Sequence, residues 1–277
     1  MISSVQMASK SKWALIISAV ILIVFFLVSI LAPWIAPHDP IQVNLAIKLS
    51  SPSWEYPLGT DHLGRCNLSR LLYGARVSLG FASLIFAASL GFGLLVGMLA
   101  GFKGGWIDLL LMRFCDGVMA FPNLVLVLGI VGLLGPGLWQ VVIALMMVQW
   151  VYYARMIRGM VVSMKEQNFI AAARISGSST GKIIWRHLLP NVIPPIMVMG
   201  TLEMGWAIMD ISALSFLGLG IQPPTPEWGA MIQEGKAFIR SQPELMIYPG
   251  LMILFVVISF NVLGESLSER FGVKRRY

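Results

Sequence analysis

Charged residues are scarce in this sequence. They make up 12% of the 277 residues, whereas an ordinary soluble domain carries roughly a quarter. Hydrophobic residues make up 57%, and the mean hydropathy is +0.79. The scarcity of charge excludes an ordinary soluble domain. It predicts an all-α protein that crosses a membrane several times and has membrane lipid as a partner.

The charges that remain are placed unevenly along the chain. The net charge of +7 would suit a nucleic-acid partner. The cations, however, fall in loops between apolar runs and at the C-terminus. Because that placement is typical of membrane topology, we expect no nucleic-acid partner.

Residues that could act in catalysis or bind a metal or cofactor are also scarce. Two cysteines, Cys66 and Cys115, are too few for a disulfide framework. The histidines His38, His62 and His187 are scattered, and no Cys-His or His-x-x-x-His grouping occurs, which argues against a membrane enzyme. The sequence has no G-x-x-x-x-G-K-S/T pattern either. We therefore expect that the chain binds no cofactor and catalyses no reaction itself.

The sequence is instead built from apolar runs that can cross a membrane as helices. We expect about six, at residues 13–32, 77–100, 106–135, 138–153, 192–217 and 246–262. Cations cluster before the first run, in the loop 154–190 and in the tail, so the positive-inside rule places these segments and both termini in the cytosol. The predicted division is an N-terminus at 1–12, a first helix at 13–32, an exterior segment at 33–76, a five-helix core at 77–263 and a basic tail at 264–277.

Small residues and charges inside these runs predict how the helices pack. Gly93, Gly97 and Gly101 repeat every four residues on one face of the second run, which lets another helix approach closely. In the third run, Arg113 and Asp116 are three residues apart, and we expect them to form a structural ion pair. The alternative is a role in transport. We expect a single span there, with Pro122 near its middle.

The loop 154–190 is rich in cations and has features of ordered structure. It has no proline from 155 to 176, and an alanine triplet at 171–173 favours a helix that would end at Gly177. A second short helix then fits before Pro190. We predict a cytosolic contact surface made of two short helices. The alternative is a basic loop held against anionic lipid.

The fifth run carries two acids, Glu203 and Asp210. They are seven residues apart, so they lie near one stripe of a helix. A rise of about 1.5 Å per residue places Glu203 near the middle of the bilayer and Asp210 further out. Because an uncompensated carboxylate at that depth costs on the order of 3 kcal/mol, we expect these acids to face a solute path. The alternatives are acids that are protonated or bonded to a neighbouring helix.

Three stretches carry a family resemblance. Residues 59–79 read GTDHLGRCNLSRLLYGARVSL, and residues 215–231 read SFLGLGIQPPTPEWGAM. Both resemble signatures of the permease subunits in the peptide and nickel branch of binding-protein-dependent ABC importers. The loop matches the E-A-A pattern of the same family at Ala172, Ala173, Gly177, Leu189 and Pro190. Ala171 stands in the place of the family's glutamate.

The resemblance implies the type I permease fold of these importers and a division of labour among subunits. A homologous permease subunit would form the other half of the solute path, two ATPase subunits would hold ATP and Mg, and an extracytoplasmic solute-binding protein would deliver the solute. The chain would lie in the cytoplasmic (inner) membrane of a bacterium. The loop would dock on an ATPase through Ala172, Ala173, Gly177, Lys182, Arg186, His187 and Pro190.

The acid at position 203 indicates which solute the protein transports. Nickel permeases of this branch resemble the chain in having an acid there, so nickel or a metal chelate is the first expectation. Glu203 is then the candidate metal-contacting residue, with Asp210 on the same path. Dipeptides or oligopeptides are the alternative. A proton-coupled secondary carrier would use both acids as a relay, but its sequence would show internal inverted repeats, and we find none.

Overall fold

Helices make up nearly all of the regular structure. The computed structural model describes residues 2–270, and within that range it contains no β-strand. The helices are α1 Ile2–Ile35, α2 Asn67–Lys103, α3 Gly105–Met119, α4 Asn123–Leu134, α5 Leu138–Lys165, α6 Asn168–Ile175, α7 Thr180–Ile183, α8 Leu189–Phe216, α9 Trp228–Gly235 and α10 Glu244–Arg270. A π-helical stretch, Ile184–Leu188, joins α7 to α8. The all-α prediction is confirmed.

The long helices account for the membrane spans. Five segments are long and apolar enough to cross a membrane, at Trp13–Ile35, Asn67–Lys103, Leu138–Lys165, Thr180–Phe216 and Glu244–Arg270. Helices α3 and α4 pass the same test only as a pair. Counting that pair as one span gives six, which confirms the expected number.

The third apolar run is a broken span made of two helices and not one continuous helix. Helix α3 ends at Met119, α4 begins at Asn123, and the two are bent by 86°. Pro122 precedes the first residue of α4. Because proline has no N–H group and disfavours helical geometry in the residue before it, α3 ends here instead of continuing through the proline.

Helices α2 and α5 pack against each other through the glycine face of α2. A Cβ atom at Gly97 would lie 2.6 Å from the carbonyl oxygen of Ala154, and one at Gly101 would lie 2.8 Å from Cβ of Val161. Both distances are well inside van der Waals contact, so the close approach requires glycine. The predicted close helix contact is confirmed. This contact buries Val161 and lies past residue 153, where the fourth apolar run ends.

Two arginines of the motif at 59–79 pair with Glu234, which lies on α9 three positions past the motif at 215–231. Arg65 and Arg70 are each 1% exposed, and their guanidinium groups reach the carboxylate of Glu234 at 3.0 and 2.5 Å. The carboxylate of Asp61 lies 2.6 Å from Arg65 and 3.6 Å from Arg70. We call these four residues the charge network. Its two positive and two negative side chains balance each other, which makes their burial tolerable.

A fully buried carboxylate ties the same region together. Glu227 accepts hydrogen bonds from the hydroxyls of Ser78 and Ser212 at 3.1 and 3.3 Å and from the backbone N–H of Ala230 at 2.9 Å. These donors belong to α2, α8 and α9. The neighbouring Trp228 donates its indole N–H to the carbonyl of Leu71 at 3.1 Å. The second motif therefore closes over the beginning of α2.

Both ends of the chain extend past the described parts. Helix α10 continues to Arg270 and so includes the start of the basic tail expected from residue 264. The rest of that tail, 271–277, lies outside the described residues. The side chains of residues 1–12, including Lys10 and Lys12, lie outside them as well.

Candidate functional site

A cavity of about 620 Å³ lies where α5 and α8 face the bend between α3 and α4. Both predicted path residues, Glu203 and Asp210, line it. The other lining residues are Val118, Met119, Phe121, Asn123, Leu124, Val148, Gln149, Tyr152 and Trp206. The bend matters here, because residues on both sides of Pro122 contribute to the wall.

Asp210 is held by a neighbouring helix. The side-chain amide of Gln149 on α5 donates a hydrogen bond to Oδ2 of Asp210 on α8 at 3.2 Å. An amide donor on one side leaves the carboxylate with further acceptor capacity. The structure therefore combines two of the predicted possibilities for Asp210, since this acid is bonded to a neighbouring helix and also borders the cavity.

The cavity wall follows one face of each helix. On α8, Glu203, Trp206 and Asp210 are spaced by three and four residues, which brings them to a common face. On α5, Gln149 and Tyr152 are spaced by three. The wall thus mixes two acids and an amide with aromatic side chains, and this mixture can contact a polar solute of small-molecule size.

The ion pair predicted within α3 does not form. Asp116 pairs with Arg155 on α5, while Arg113 is exposed. Asp108 likewise pairs across helices, because its carboxylate accepts two bonds from the guanidinium of Arg158, one of them at 2.9 Å from Nε to Oδ1. The i, i+3 prediction was wrong because α3 turns its acids toward α5, whose arginines approach them more closely than a residue on the same helix.

The loop between α5 and α8, which we call the α5–α8 loop, contains the two short helices that its sequence predicts. Gly177 follows α6 with φ of +74°, in the left-handed region that favours glycine. Ala173 is buried, and His187 is half-buried with its ring 6.5 Å from that of Phe169. Five of the seven loop residues named for docking are exposed: Ala172, Gly177, Lys182, Arg186 and Pro190.

The same loop exposes two large apolar side chains that the sequence reasoning missed. Ile175 is 88% exposed and Trp185 is 73% exposed. They lie on either side of Gly177, one at the end of α6 and the other in the π-helical stretch. An apolar surface flanked by cations is typical of a site that contacts another protein.

The acids of the cavity do not form a metal-binding cluster. Within residues 2–270, no group of three or more His, Cys, Asp or Glu side chains could hold a metal ion. Glu203 and Asp210 therefore line the cavity without making up a complete coordination sphere.

Comparison with known proteins decides the family. The pattern of the family described as "Binding-protein-dependent transport system inner membrane component" matches residues 93–276. The chain belongs to this family. A second pattern, "N-terminal TM domain of oligopeptide transport permease C", matches residues 9–52 of the permease. The permease is thus a membrane subunit of an ABC importer, as the sequence motifs predicted, and the stand-alone proton-coupled carrier is set aside.

Curated relatives of two kinds are about equally similar to this permease. A dipeptide transport system permease protein of Alkalihalophilus pseudofirmus is 40% identical over 96% of the permease and 88% of the relative. A nickel transport system permease protein of Escherichia coli strain K12 is 39% identical over 94% of each chain. A di/tripeptide transport system permease protein of Pseudomonas aeruginosa is 40% identical over 92% and 85%. The choice of solute must therefore be argued from the cavity.

A solved structure supports the fold. The permease matches a chain of the MetNI methionine ABC transporter in an inward-facing conformation with a TM-score of 0.60, over 75% of the permease and 98% of that chain. The two are 18% identical. The likeness confirms the type I importer permease fold that the motifs implied.

Sequence reasoning found the acids of the cavity but missed the side chains around them. Gln149 could have been noticed as an amide inside an apolar run. Trp206 gave no such signal, because a single tryptophan in an apolar run does not show which way it faces. Arg155 was assigned to the loop, although α5 carries it as part of the same helix as Gln149.

Proposed function

We propose that the cavity between α5, α8 and the α3–α4 bend is this subunit's half of the solute path, and that the path carries nickel or a metal chelate. The observation that carries the proposal is the position of Glu203 and Asp210 on one wall of the cavity. Two carboxylates on one wall attract a cation and repel an anion. Oxygen ligands from such side chains also suit a divalent metal in transit.

The volume of the cavity favours a chelate over a bare ion. A space of about 620 Å³ is within the range of small-molecule sites. A chelate or partly hydrated metal would fill it, with the acids contacting the positive centre and Trp206 contacting the organic part. The metal would be cargo and would not remain bound to the permease.

Dipeptides or oligopeptides are the second candidate solutes. The aromatic side chains of Phe121 and Trp206 and the amide of Gln149 suit a peptide backbone, and the carboxylates would meet its terminal ammonium group. The dipeptide permeases at about 40% identity favour this candidate.

The α5–α8 loop is proposed to dock on an ATPase subunit that holds ATP and Mg. The exposed side chains of Ile175 and Trp185 would supply the apolar centre of that contact, and Lys182 and Arg186 would supply its charged rim. A homologous permease would complete the path, and an extracytoplasmic solute-binding protein would deliver the solute. This arrangement places the loop and both termini in the cytosol, in the inner membrane of a bacterium.

Replacing Glu203 by Gln tests the path. The amide keeps the shape and hydrogen bonding of the side chain but removes the charge that attracts a cation, so nickel uptake should fall about tenfold or more. The measurement is initial uptake of radiolabelled nickel, beside a labelled dipeptide, in cells that express the whole transporter.

Glu265→Gln is the matched control, because Glu265 is exposed on α10 and does not line the cavity. The amount of assembled complex must be equal in both variants. Unchanged nickel uptake with Glu203→Gln would remove this acid from the path. Dipeptide uptake without nickel uptake by the unaltered transporter would decide the solute in favour of peptides.

A further inference from the structure

We propose that Asp116 is a specificity-determining residue of the solute path, a third acid that a cationic solute passes at the end of the cavity nearest the α5–α8 loop. Arg155 balances its charge there. This inference rests on the proposed function, because it takes the cavity to be the path.

Arg155 lies just beyond the α5 side chains that line the cavity. Gln149, Tyr152 and Arg155 follow one another at intervals of three residues, and the first two line the cavity. Nη1 of Arg155 lies 3.9 Å from Sδ of Met119, which lines it as well. Neither Arg155 nor Asp116 lines the cavity itself, but the guanidinium group lies against Met119 of the cavity wall, and Asp116 is bound to that guanidinium.

The Arg155–Asp116 pair is poorly suited to a structural role. The two side chains remain 53% and 45% exposed in this subunit. Ion pairs that are this exposed within their own subunit add little to its stability, because holding two long side chains in one geometry costs entropy. Their placement at the cavity edge is better explained by contact with what moves through the cavity.

A second pair between the same two helices holds them together. Asp108 lies eight positions before Asp116, roughly 12 Å along α3 and away from the cavity. The side chains of Asp108 and Arg158 are 15% and 35% exposed and meet through two bonds. Bidentate geometry and deeper burial are what a structural ion pair requires. This pair serves as an internal control for the pair at the cavity edge.

The three acids of the proposed path differ in their partners. Asp210 is held by the neutral amide of Gln149, whereas Asp116 is held by a full positive charge. A path must bind its solute strongly enough to admit it and weakly enough to release it. Arg155 weakens the hold of Asp116 on a cation, so the last acid on this path is also the one from which a cation leaves most easily.

The test compares single substitutions in the two ion pairs. Asp116→Asn and Arg155→Gln are made in the whole transporter with its partner subunits, with Asp108→Asn and Arg158→Gln as controls. Initial uptake into cells is measured for nickel, for lysyl-lysine and for alanyl-alanine, at equal amounts of assembled complex.

The two cavity-edge variants should act unequally. Asp116→Asn leaves Arg155 uncompensated, so uptake of the cations that the unaltered transporter carries should fall about tenfold while alanyl-alanine changes less than about twofold. Arg155→Gln leaves a negative charge, so cation uptake at low concentration should persist and the maximal rate should fall, because release becomes slower. In the control pair, either substitution should change the uptake of all transported solutes by the same factor.

A symmetrical result would overturn the inference. If Asp116→Asn and Arg155→Gln lower the uptake of every solute equally, or change nothing, the pair is structural. An unaltered transporter that carries only alanyl-alanine would also overturn it, because no cation then follows the path. Failure of the nickel proposal is a separate outcome. If the unaltered transporter carries lysyl-lysine but no nickel, nickel is not its solute. The role of Asp116 is then tested by the uptake of lysyl-lysine.

Discussion

The region of the charge network and the α5–α8 loop use their charges in opposite ways. In the charge network, two buried arginines meet two carboxylates of the same subunit. In the loop, Lys182 and Arg186 are exposed beside the exposed Trp185. Both regions match family motifs, but the first uses its conspicuous residues to hold one subunit together. The second leaves them available for another protein.

Breaking the charge network should have the largest effect. Arg70→Met removes the guanidinium that lies near both Asp61 and Glu234 and leaves buried negative charge without a full counter-charge. We expect a loss of about 3–5 kcal/mol in the free energy of unfolding. Thermal unfolding of the purified subunit in detergent and its level in the membrane measure this effect.

Arg76→Met is the matched control, because Arg76 lies six positions later on α2 and is exposed. It should leave the unfolding temperature nearly unchanged. Equal unfolding temperatures for the two variants would show that the charge network does not stabilise the subunit.

Substituting Gly177 should have an effect of intermediate size. The effect should be on docking of the loop to the ATPase and not on folding of the subunit. Gly177→Val forces a β-branched residue to adopt φ near +74°, at a cost of about 1–3 kcal/mol in the loop. A Cβ atom there would meet nothing within 4 Å, so the subunit should still fold. Co-purification of the ATPase subunits and solute-stimulated ATP hydrolysis should both decline.

Gly181→Val introduces the same side chain four positions away in the same loop, where φ is not positive and a Cβ atom also meets nothing within 4 Å. It should impair docking less than Gly177→Val. If the two variants behave alike, the turn at Gly177 does not depend on glycine.

Removing a single loop charge should have the smallest effect. Lys182→Ala deletes one exposed cation of the proposed docking surface. We expect a few-fold weaker association with the ATPase, which corresponds to less than about 1 kcal/mol, and the difference should shrink as salt is added. Lys236→Ala, an exposed lysine just after α9, is the control. An equal loss in both variants would mean that Lys182 makes no specific contact.

Features that depend on neighbouring positions along the chain were predictable from the sequence. The apolar runs predicted the spans, and the seven-residue spacing placed Glu203 and Asp210 on one wall. Gly177 was identified because a helix-favouring alanine triplet ends just before it. In each case the chemistry of a short stretch determines the local geometry.

Features that depend on how helices face each other were not predictable in this way. Asp116 has a cation three residues away on its own helix, yet it pairs with Arg155 on another. Pro122 can be accommodated in a kinked span or can end a helix, and here α3 ends at Met119 and α4 packs beside α5. The charge network joins the motif at 59–79 to Glu234 on α9, and neither stretch of sequence gives a sign of this contact.

The charge network also has a consequence for the order in which the subunit matures. Arg70 and Glu234 are separated by 164 positions, so the ribosome synthesises Arg70 long before Glu234. At about 5–20 residues per second, this interval lasts roughly ten to thirty seconds. During that time the nascent chain carries two arginines with only Asp61 to match them. The region around the start of α2 can therefore close only after α9 arrives, and a chain truncated before α9 should be recognised by cellular quality control as unfinished.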